Sequence, residues 1–211
     1  MIRINAKGLA KYMAASPSTQ RRTLRDYKNP DDESRAKIIY YKEARDYIRR
    51  FHQDNKDTDW LRQQASILKL VGEQATGQTA SRLKNNARAL IQYAHYFGNK
   101  TYTLLGDLSL PMDIAGVRVI CTPDLYVSEN DREKLIKLDF LVKEPDIMIP
   151  KVICQLLYEA AIATGIDIAS SDAIYIDVPR GKMYKKARGG ARIVRDIEAT
   201  CQNIAAIWDS I

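Results

Sequence analysis

The hydrophobic pattern of this chain changes character at Gly98. Before that residue, apolar side chains recur at helical spacing, and the clearest stripe runs from Ala80 to Ala94. After it, short apolar runs alternate in the manner of strands and are separated by proline and glycine. A helical half followed by a mixed half predicts an α+β or α/β protein, in which helices flank a small mixed sheet.

The predicted elements divide the chain into two parts. A basic all-α region is expected over residues 1–97, followed by an α/β domain over residues 98–211, and the helix 76–97 is also a candidate for the core of that domain. From residue 76 onward the order is helix, three strands, helix, strand, and then a short strand and a last helix. The predicted helices cover residues 4–14, 17–27, 33–53, 60–72, 76–97, 150–164 and 191–210, and the predicted strands cover 101–105, 108–110, 117–122, 134–141, 173–178 and 183–185.

Positive charge is concentrated in the first part. The 211 residues carry a formal charge of +7, and residues 1–97 contain 19 basic and 10 acidic side chains against 14 and 16 in the remainder. Basic surface gathered in one part is typical of proteins that bind polyanions, although a solvated helical face is the alternative. Nucleic acid is therefore an expected partner. The candidate contacts are the basic side chains of helix 17–27 and of the loop near residue 185: Arg21, Arg22, Arg25, Lys182, Lys185, Lys186 and Arg188.

Several other classes of protein find no support in the sequence. Cys121, Cys154 and Cys201 lie far apart in apolar segments, which indicates buried thiols rather than a zinc site or a disulfide framework. His52 and His95 have no second metal ligand nearby in the sequence, so we expect both to be ordinary packing or surface residues. No phosphate loop, nucleophile elbow or H-E-x-x-H motif occurs. Because no apolar run reaches the roughly 20 residues of a membrane span and no signal-peptide core is present, we expect a cytoplasmic protein.

The segment from residue 117 to residue 140 carries the candidate chemistry. An apolar run ends at Pro123-Asp124, and a second apolar run carries Lys137 and Asp139. Since side chains alternate along a strand, Lys137 and Asp139 share one face, which is expected to be the less buried one, while the apolar residues between them face the core. A hairpin turn through residues 129–131 would bring Asp124 alongside.

Such a cluster suits metal-assisted attack on a phosphodiester. Mg²⁺ or Mn²⁺ would take Asp124 and Asp139 as hard oxygen ligands, and Lys137 would stabilise the developing negative charge. The alternative is structural: Asp124 caps a turn, and Lys137 and Asp139 form an ion pair on an edge strand.

The order of elements and these residues resemble the PD-(D/E)XK nuclease superfamily. Pro123-Asp124 matches its first element on the second core strand, and Lys137 matches the lysine on the third. The acid two residues before that lysine is replaced here by Leu135, and Asp139 or Glu133 on the same face would have to replace it. The resemblance implies a metal-dependent nuclease acting on DNA.

A second group of residues extends this resemblance. Gln155 and Tyr158 on the helix 150–164 resemble the Gln/Tyr motif of some members, which makes Gln155 a further candidate catalytic residue. The helix 76–97 carries no acid where many members have a glutamate. The second half also resembles uncharacterised bacterial proteins that are regarded as degenerate relatives, and related nucleases serve in restriction, repair or defence against phage.

Three hypotheses stay open on the sequence. The first is a metal-dependent nuclease. The second is a catalytically degenerate nuclease-like module that binds nucleic acid, or that assembles with a protein partner or with further copies of itself. The third is an interaction protein whose apolar helix faces pair with a partner. None of the three requires a membrane.

Overall fold

The computed structural model describes residues 1–30, 39–186 and 189–211. Within these ranges the chain forms two mixed sheets flanked by helices, so the predicted α+β class is confirmed. No helix in the described part is both long enough and apolar enough to cross a membrane. The strands are β1 (Ile2–Asn5), β2 (Thr103–Gly106), β3 (Leu110–Ile114), β4 (Val117–Cys121), β5 (Leu125–Glu129), β6 (Arg132–Asp139), β7 (Ala173–Asp177) and β8 (Lys182–Lys185), and the α-helices are α1 (Ala6–Met13), α2 (Pro17–Lys28), α3 (Lys42–Gln53), α4 (Thr58–Gln74), α5 (Gly77–Phe97), α6 (Met148–Ala163) and α7 (Ala191–Ile207).

The larger sheet has five strands in the order β2-β5-β6-β7-β8. Strands β5 and β6 form an antiparallel hairpin, whose two central residues, Asn130 and Asp131, have positive φ angles of 53° and 58°. Asparagine and aspartate tolerate this left-handed conformation, and two such residues give the turn whose twist matches that of the strands. The predicted turn through residues 129–131 is therefore confirmed, although the strand that it joins to β6 is β5 rather than the predicted strand 117–122. Strand β7 runs parallel to β6, and helix α6 makes the crossover between them.

Both faces of this sheet are buried. The side chains of Ile136, Leu138 and Phe140 lie in a core formed with α3, α4 and α5, as the sequence predicts. Leu135 is on the opposite face and is also fully buried, in a second core formed with α1, α6 and α7. The expectation that the face of Lys137 and Asp139 is less buried is wrong for most of the strand. The reason is that a parallel strand pair needs a crossover helix, and that helix covers the second face.

The smaller sheet has the order β1-β4-β3 and includes the beginning of the chain. Residues Ile2–Asn5 pair in parallel with Val117–Ile120, so the first 97 residues are not all helical, and the helix predicted from residue 4 begins at Ala6. Asn5 ends the strand and caps α1, because its side-chain oxygen accepts a hydrogen bond from the N–H of Gly8 at 2.8 Å. Four residues show too little periodicity to reveal a strand whose partner lies more than a hundred residues away.

Two further strand predictions need correction. Strand β4 pairs with β1 and β3 rather than with β6, and the partner of β6 is β5, which begins immediately after Asp124. Asp124 therefore stands at the start of a strand, not at the end of one. The strand predicted over residues 108–110 instead covers Leu110–Ile114, where Pro111 is tolerated because β3 is an edge strand.

Most helix predictions agree with the structure at one end or both. Helix α2 begins at Pro17 after Ser16, α5 ends at Phe97 before Gly98, and α6 begins at Met148, two residues before its predicted start. Residues 33–38 of the helix predicted over 33–53 lie outside the described residues, and α3 begins at Lys42. The division of the chain near residue 97 stays a prediction, although both hydrophobic cores draw residues from each side of it.

His52 is a packing residue in the core beneath α3. Its ring lies against Phe51 and Tyr102, and its Nε2 atom is 2.8 Å from the hydroxyl oxygen of Tyr93. Burial lowers the pKa of His52 from 6.5 to about 4, because the charged imidazolium would lose its hydration there. The folded protein therefore favours neutral His52.

We expect the free energy of unfolding to decrease as the pH falls from 6.5 to 4. In this window the unfolded chain binds a proton at His52 that the folded chain rejects, which removes up to about 3 kcal/mol. Urea titrations at several pH values measure this loss. His52→Gln should flatten the pH dependence, whereas His95→Gln at the exposed second histidine should leave it unchanged. If the stability of both variants depends on pH in the same way, the pH dependence does not come from His52.

Candidate functional site

Asp124 and Lys137 meet as the sequence predicts. The Nζ atom of Lys137 donates to Oδ1 of Asp124 at 3.2 Å, and the backbone N–H of Leu138 donates to Oδ2 at 2.8 Å. The N–H of Asp124 in turn donates to the carbonyl of Ile136 at 2.8 Å. The carboxylate is 9% exposed and the lysine side chain 19% exposed. Asp124 therefore links the start of β5 to the second half of β6 through hydrogen bonds.

The Lys137 ammonium also reaches a second oxygen. It donates to the backbone carbonyl of Thr122 at 2.9 Å, so it lies between a carboxylate and a carbonyl. Those are the oxygen types that a hard divalent cation prefers. Since the ammonium contacts both oxygens, the positive charge that this position attracts is supplied by the protein itself.

Two arginines of α3 contact Asp124, one at its carboxylate and one at its backbone carbonyl. Arg45 approaches Oδ1 of Asp124 at 4.0 Å, and Arg49 donates to the Asp124 carbonyl at 3.1 Å. Arg49 also pairs with Asp107 at 2.5 Å, whose side chain is 90% exposed. The region around Asp124 therefore holds three cationic side chains, Arg45, Arg49 and Lys137, close to one buried acid.

Asp139 is held by residues that the sequence analysis missed. Its Oδ1 accepts a hydrogen bond from Nζ of Lys7 at 2.6 Å, and its Oδ2 accepts one from the hydroxyl of Tyr175 at 2.6 Å. Burial and the neighbouring Asp139 carboxylate raise the pKa of Tyr175, which keeps the phenol protonated as a donor. Tyr175 is the partner of Lys137 in the pairing of β7 with β6. A prediction of which strands are neighbours would therefore have placed Tyr175 near this site. Lys7 gives no such signal, because it is 132 residues away in sequence.

The residues that are present do not fit a metal ion in this arrangement. The acid position of the resembled motif is Leu135, which is fully buried in the core, and Glu133 accepts a hydrogen bond from Tyr126 at 2.6 Å. Asp124 and Asp139 have both carboxylate oxygens engaged by protein donors. Across residues 1–30, 39–186 and 189–211, no three histidine, cysteine or acidic side chains gather to hold a metal. Mg²⁺ or Mn²⁺ binding by Asp124 and Asp139 stays a prediction.

Gln155 lines a different cavity from Asp139. It is buried on α6, and its amide nitrogen donates to Glu159 at 2.5 Å. The cavity beside it has a volume of about 250 Å³ and is bounded by Lys186 and by Gly190 at the start of α7. A catalytic role for Gln155 together with Asp139 therefore gains no support from this placement.

The predicted nucleic-acid contacts fall into two groups. Arg21, Arg22 and Arg25 on α2 are exposed, and within the described part of the chain no carboxylate lies within 4 Å of them. Such guanidinium groups are suited to phosphate oxygens.

The basic residues near β8 are arranged differently. Lys182 pairs with Glu144 at 2.7 Å, and Lys186 lies over the ring of Tyr158 at 4.4 Å from its centre. Lys185 is exposed, and Arg188 lies outside the described residues. Because Lys182 and Lys186 already have partners within the protein, the α2 arginines are the stronger candidates for phosphate contact.

Comparison of the chain with family models, with curated proteins and with solved structures finds no match in any of the three. The candidate site consists of an acid–lysine pair between β5 and β6, a separate buried acid held by Lys7 and Tyr175, and an arginine-bearing helix.

We expect Asp124→Ala to lower the free energy of unfolding by about 2–4 kcal/mol, since it leaves the Leu138 N–H without its acceptor and the Lys137 ammonium without its carboxylate partner. Asp124→Asn keeps one amide oxygen as an acceptor and should lose less. Asp107→Ala removes an exposed partner of Arg49 and should change stability by less than about 1 kcal/mol. Chemical denaturation measures all three. If Asp124→Ala lowers the free energy of unfolding no more than Asp107→Ala does, the Asp124 carboxylate has no structural role.

Proposed function

We propose that the protein is a nucleic-acid-binding module built on a nuclease-like core, in which the acid–lysine site has lost catalysis. The order of elements supports the core. Helix α5, strands β2, β5 and β6, helix α6 and strand β7 follow the helix–three strands–helix–strand order that the resemblance implies. The hairpin of β3 and β4 is an insertion between the first two of those strands. The acid then precedes the second core strand, and the lysine lies on the third.

The position of the Lys137 ammonium is the observation that most supports this proposal. The Lys137 ammonium binds both Oδ1 of Asp124 and the carbonyl of Thr122. A metal at the same place would have to displace it, and Leu135 offers no second carboxylate in return. An acid that is satisfied by a lysine and a backbone N–H contributes to the stability of the hairpin without any reaction.

Charge supports nucleic acid as the partner, with DNA the first class to test. The protein has an excess of positive charge in residues 1–97, and α2 presents Arg21, Arg22 and Arg25 to solvent. Arg21 and Arg25 are one helical turn apart, so they lie on the same side of the helix. Side chains in this arrangement can contact successive phosphates of one backbone and release the counterions bound there.

We expect replacement of Arg21, Arg22 and Arg25 by alanine to weaken DNA binding, because phosphate contacts are lost. The slope of log K against log salt should become shallower by up to about 3, at roughly 0.9 for each contact removed. Fluorescence anisotropy with a labelled duplex over a salt series measures both effects.

A matched control removes the same charge elsewhere. Lys42, Arg62 and Lys69 are exposed cations that pair with acids on their own helices, and their triple alanine variant has the same net charge as the α2 variant. It should bind DNA almost as the unaltered protein does. If both triple variants lose the same amount of DNA affinity, net charge rather than the α2 arginines explains binding. If the unaltered protein does not bind DNA at low salt, the proposal is wrong.

A metal-dependent phosphodiesterase is the second candidate, favoured by the contact of Asp124 with Lys137 at 3.2 Å. If it is correct, Mg²⁺ or Mn²⁺ should support cleavage of DNA or RNA, and Asp124→Asn and Lys137→Met should each abolish it. Gel assays on single- and double-stranded substrates measure this. Absence of cleavage with either metal, while DNA binding is retained, decides for the non-catalytic module. Restriction, repair and phage defence are the contexts that the resemblance implies for both candidates.

A further inference from the structure

A cavity of the described chain lies at the carboxyl end of β6. Its volume is about 650 Å³, and its wall includes Asp139, Tyr175 and residues of α1. The remaining wall comes from the connection between β6 and α6. In open sheets with parallel strands, ligands bind outside the carboxyl ends of those strands. A volume of this size is within the range of small-molecule sites.

Three lysines line the cavity, Lys7, Lys11 and Lys143. Lys7 is held in place by Asp139, so its charged end is fixed at the wall while 30% of its side chain stays exposed. Lys11 is one helical turn further along α1. Ammonium groups that converge on one cavity favour an anionic ligand, and phosphate is a common one.

The acids at the cavity are already engaged by the protein. Asp139 accepts hydrogen bonds from Lys7 and Tyr175, and Glu144 pairs with Lys182 at 2.7 Å. Asp146 accepts a hydrogen bond from the N–H of Met148 at 2.8 Å and so caps the start of α6. Asp139 and Glu144 are therefore ion-paired within the protein and oppose an incoming anion less than free carboxylates would, whereas the donor to Asp146 is a neutral backbone N–H.

The rest of the wall is apolar. Leu141, Pro145 and Ile149 line it on the side of the connection, and Ala14 and Ala15 line it beside α1. Leu141 is 40% exposed, although it is a large hydrophobic residue. An apolar surface beside ammonium groups suits a ligand that has both a flat, weakly polar part and a phosphate.

We infer that this cavity binds a nucleoside phosphate, either as a free nucleotide or as the phosphorylated terminal nucleotide of a strand. The base would lie against Leu141, Pro145 and Ile149, and the phosphate would contact Lys11 and Lys143. Lys7 is positioned by Asp139 and Tyr175 to complete the anion site. The strand-end form rests on the proposed function, because it requires that the protein binds nucleic acid, whereas the free-nucleotide form does not.

The first arm of the test uses a free nucleotide. AMP titrated into the full chain should give saturable binding by calorimetry, and Lys11→Ala together with Lys143→Ala should weaken it by about tenfold for each ammonium removed. Both lysines are exposed, so the double variant is expected to fold. Lys69→Ala together with Lys84→Ala removes two exposed lysines outside the cavity and should leave the affinity unchanged.

The second arm uses single strands that carry a phosphate or a hydroxyl at the 5′ or the 3′ end. A preference for one phosphorylated end that the Lys11/Lys143 variant loses supports the strand-end form. The α2 triple variant should weaken binding of every strand but keep that preference, which separates this inference from the proposed function. If AMP binds without any terminal preference, the free nucleotide is the ligand. If neither AMP nor a terminal phosphate is recognised, or if the cavity variant binds both as well as the unaltered chain, the inference is wrong.

Discussion

Strand β6 is the constraint on which the rest of the structure depends. It pairs with β5 in one direction and with β7 in the other, and the parallel pair with β7 requires the crossover helix α6. Because helices then cover both faces, β6 is most buried in its second half, and its start at Arg132 stays exposed. Lys137 and Asp139 lie in that second half, and each is held by partners that come from other parts of the chain.

The buried acids of this region are satisfied in two independent ways. Asp124 uses a lysine of the same hairpin and a backbone N–H, so its interactions are local to β5 and β6. Asp139 uses Lys7 and Tyr175, so its interactions tie α1 to the sheet. A buried carboxylate is tolerated only with such partners, since the loss of hydration otherwise exceeds any gain. These two solutions account for both acids without a metal, and they place one of them beside a large cavity.

The proposed activities use different surfaces of one molecule. The arginines of α2 are exposed and suit a phosphate backbone, whereas the cavity lined by Lys7 and Lys143 is concave and suits a single nucleotide. The two surfaces are close in sequence, since Ala14 and Ala15 of the cavity wall lie two or three residues before Pro17, the first residue of α2.

Much of the fold and half of the site were predictable from local signals. The apolar alternation around Ile136 predicted the central strand, and Asn130-Asp131 predicted the turn that brings Lys137 to Asp124. Serine before proline predicted the start of α2. Each of these signals acts within about fifteen residues, where side-chain periodicity and turn conformation dominate.

The remainder was decided by contacts between distant parts of the chain. Strand β1 exists because β4 offers it a partner, and the two carboxylate oxygens of Asp139 are engaged by Lys7 and Tyr175. Residue types and short-range spacing carry no information on which lysine will neutralise a given buried acid. The sequence by itself determined most of the helices, the central strand β6, the turn at residues 129–131 and the pairing of Asp124 with Lys137 across it. Only the tertiary structure decided which charges are neutralised and which stay available to a ligand, because that depends on burial by elements far apart in the chain.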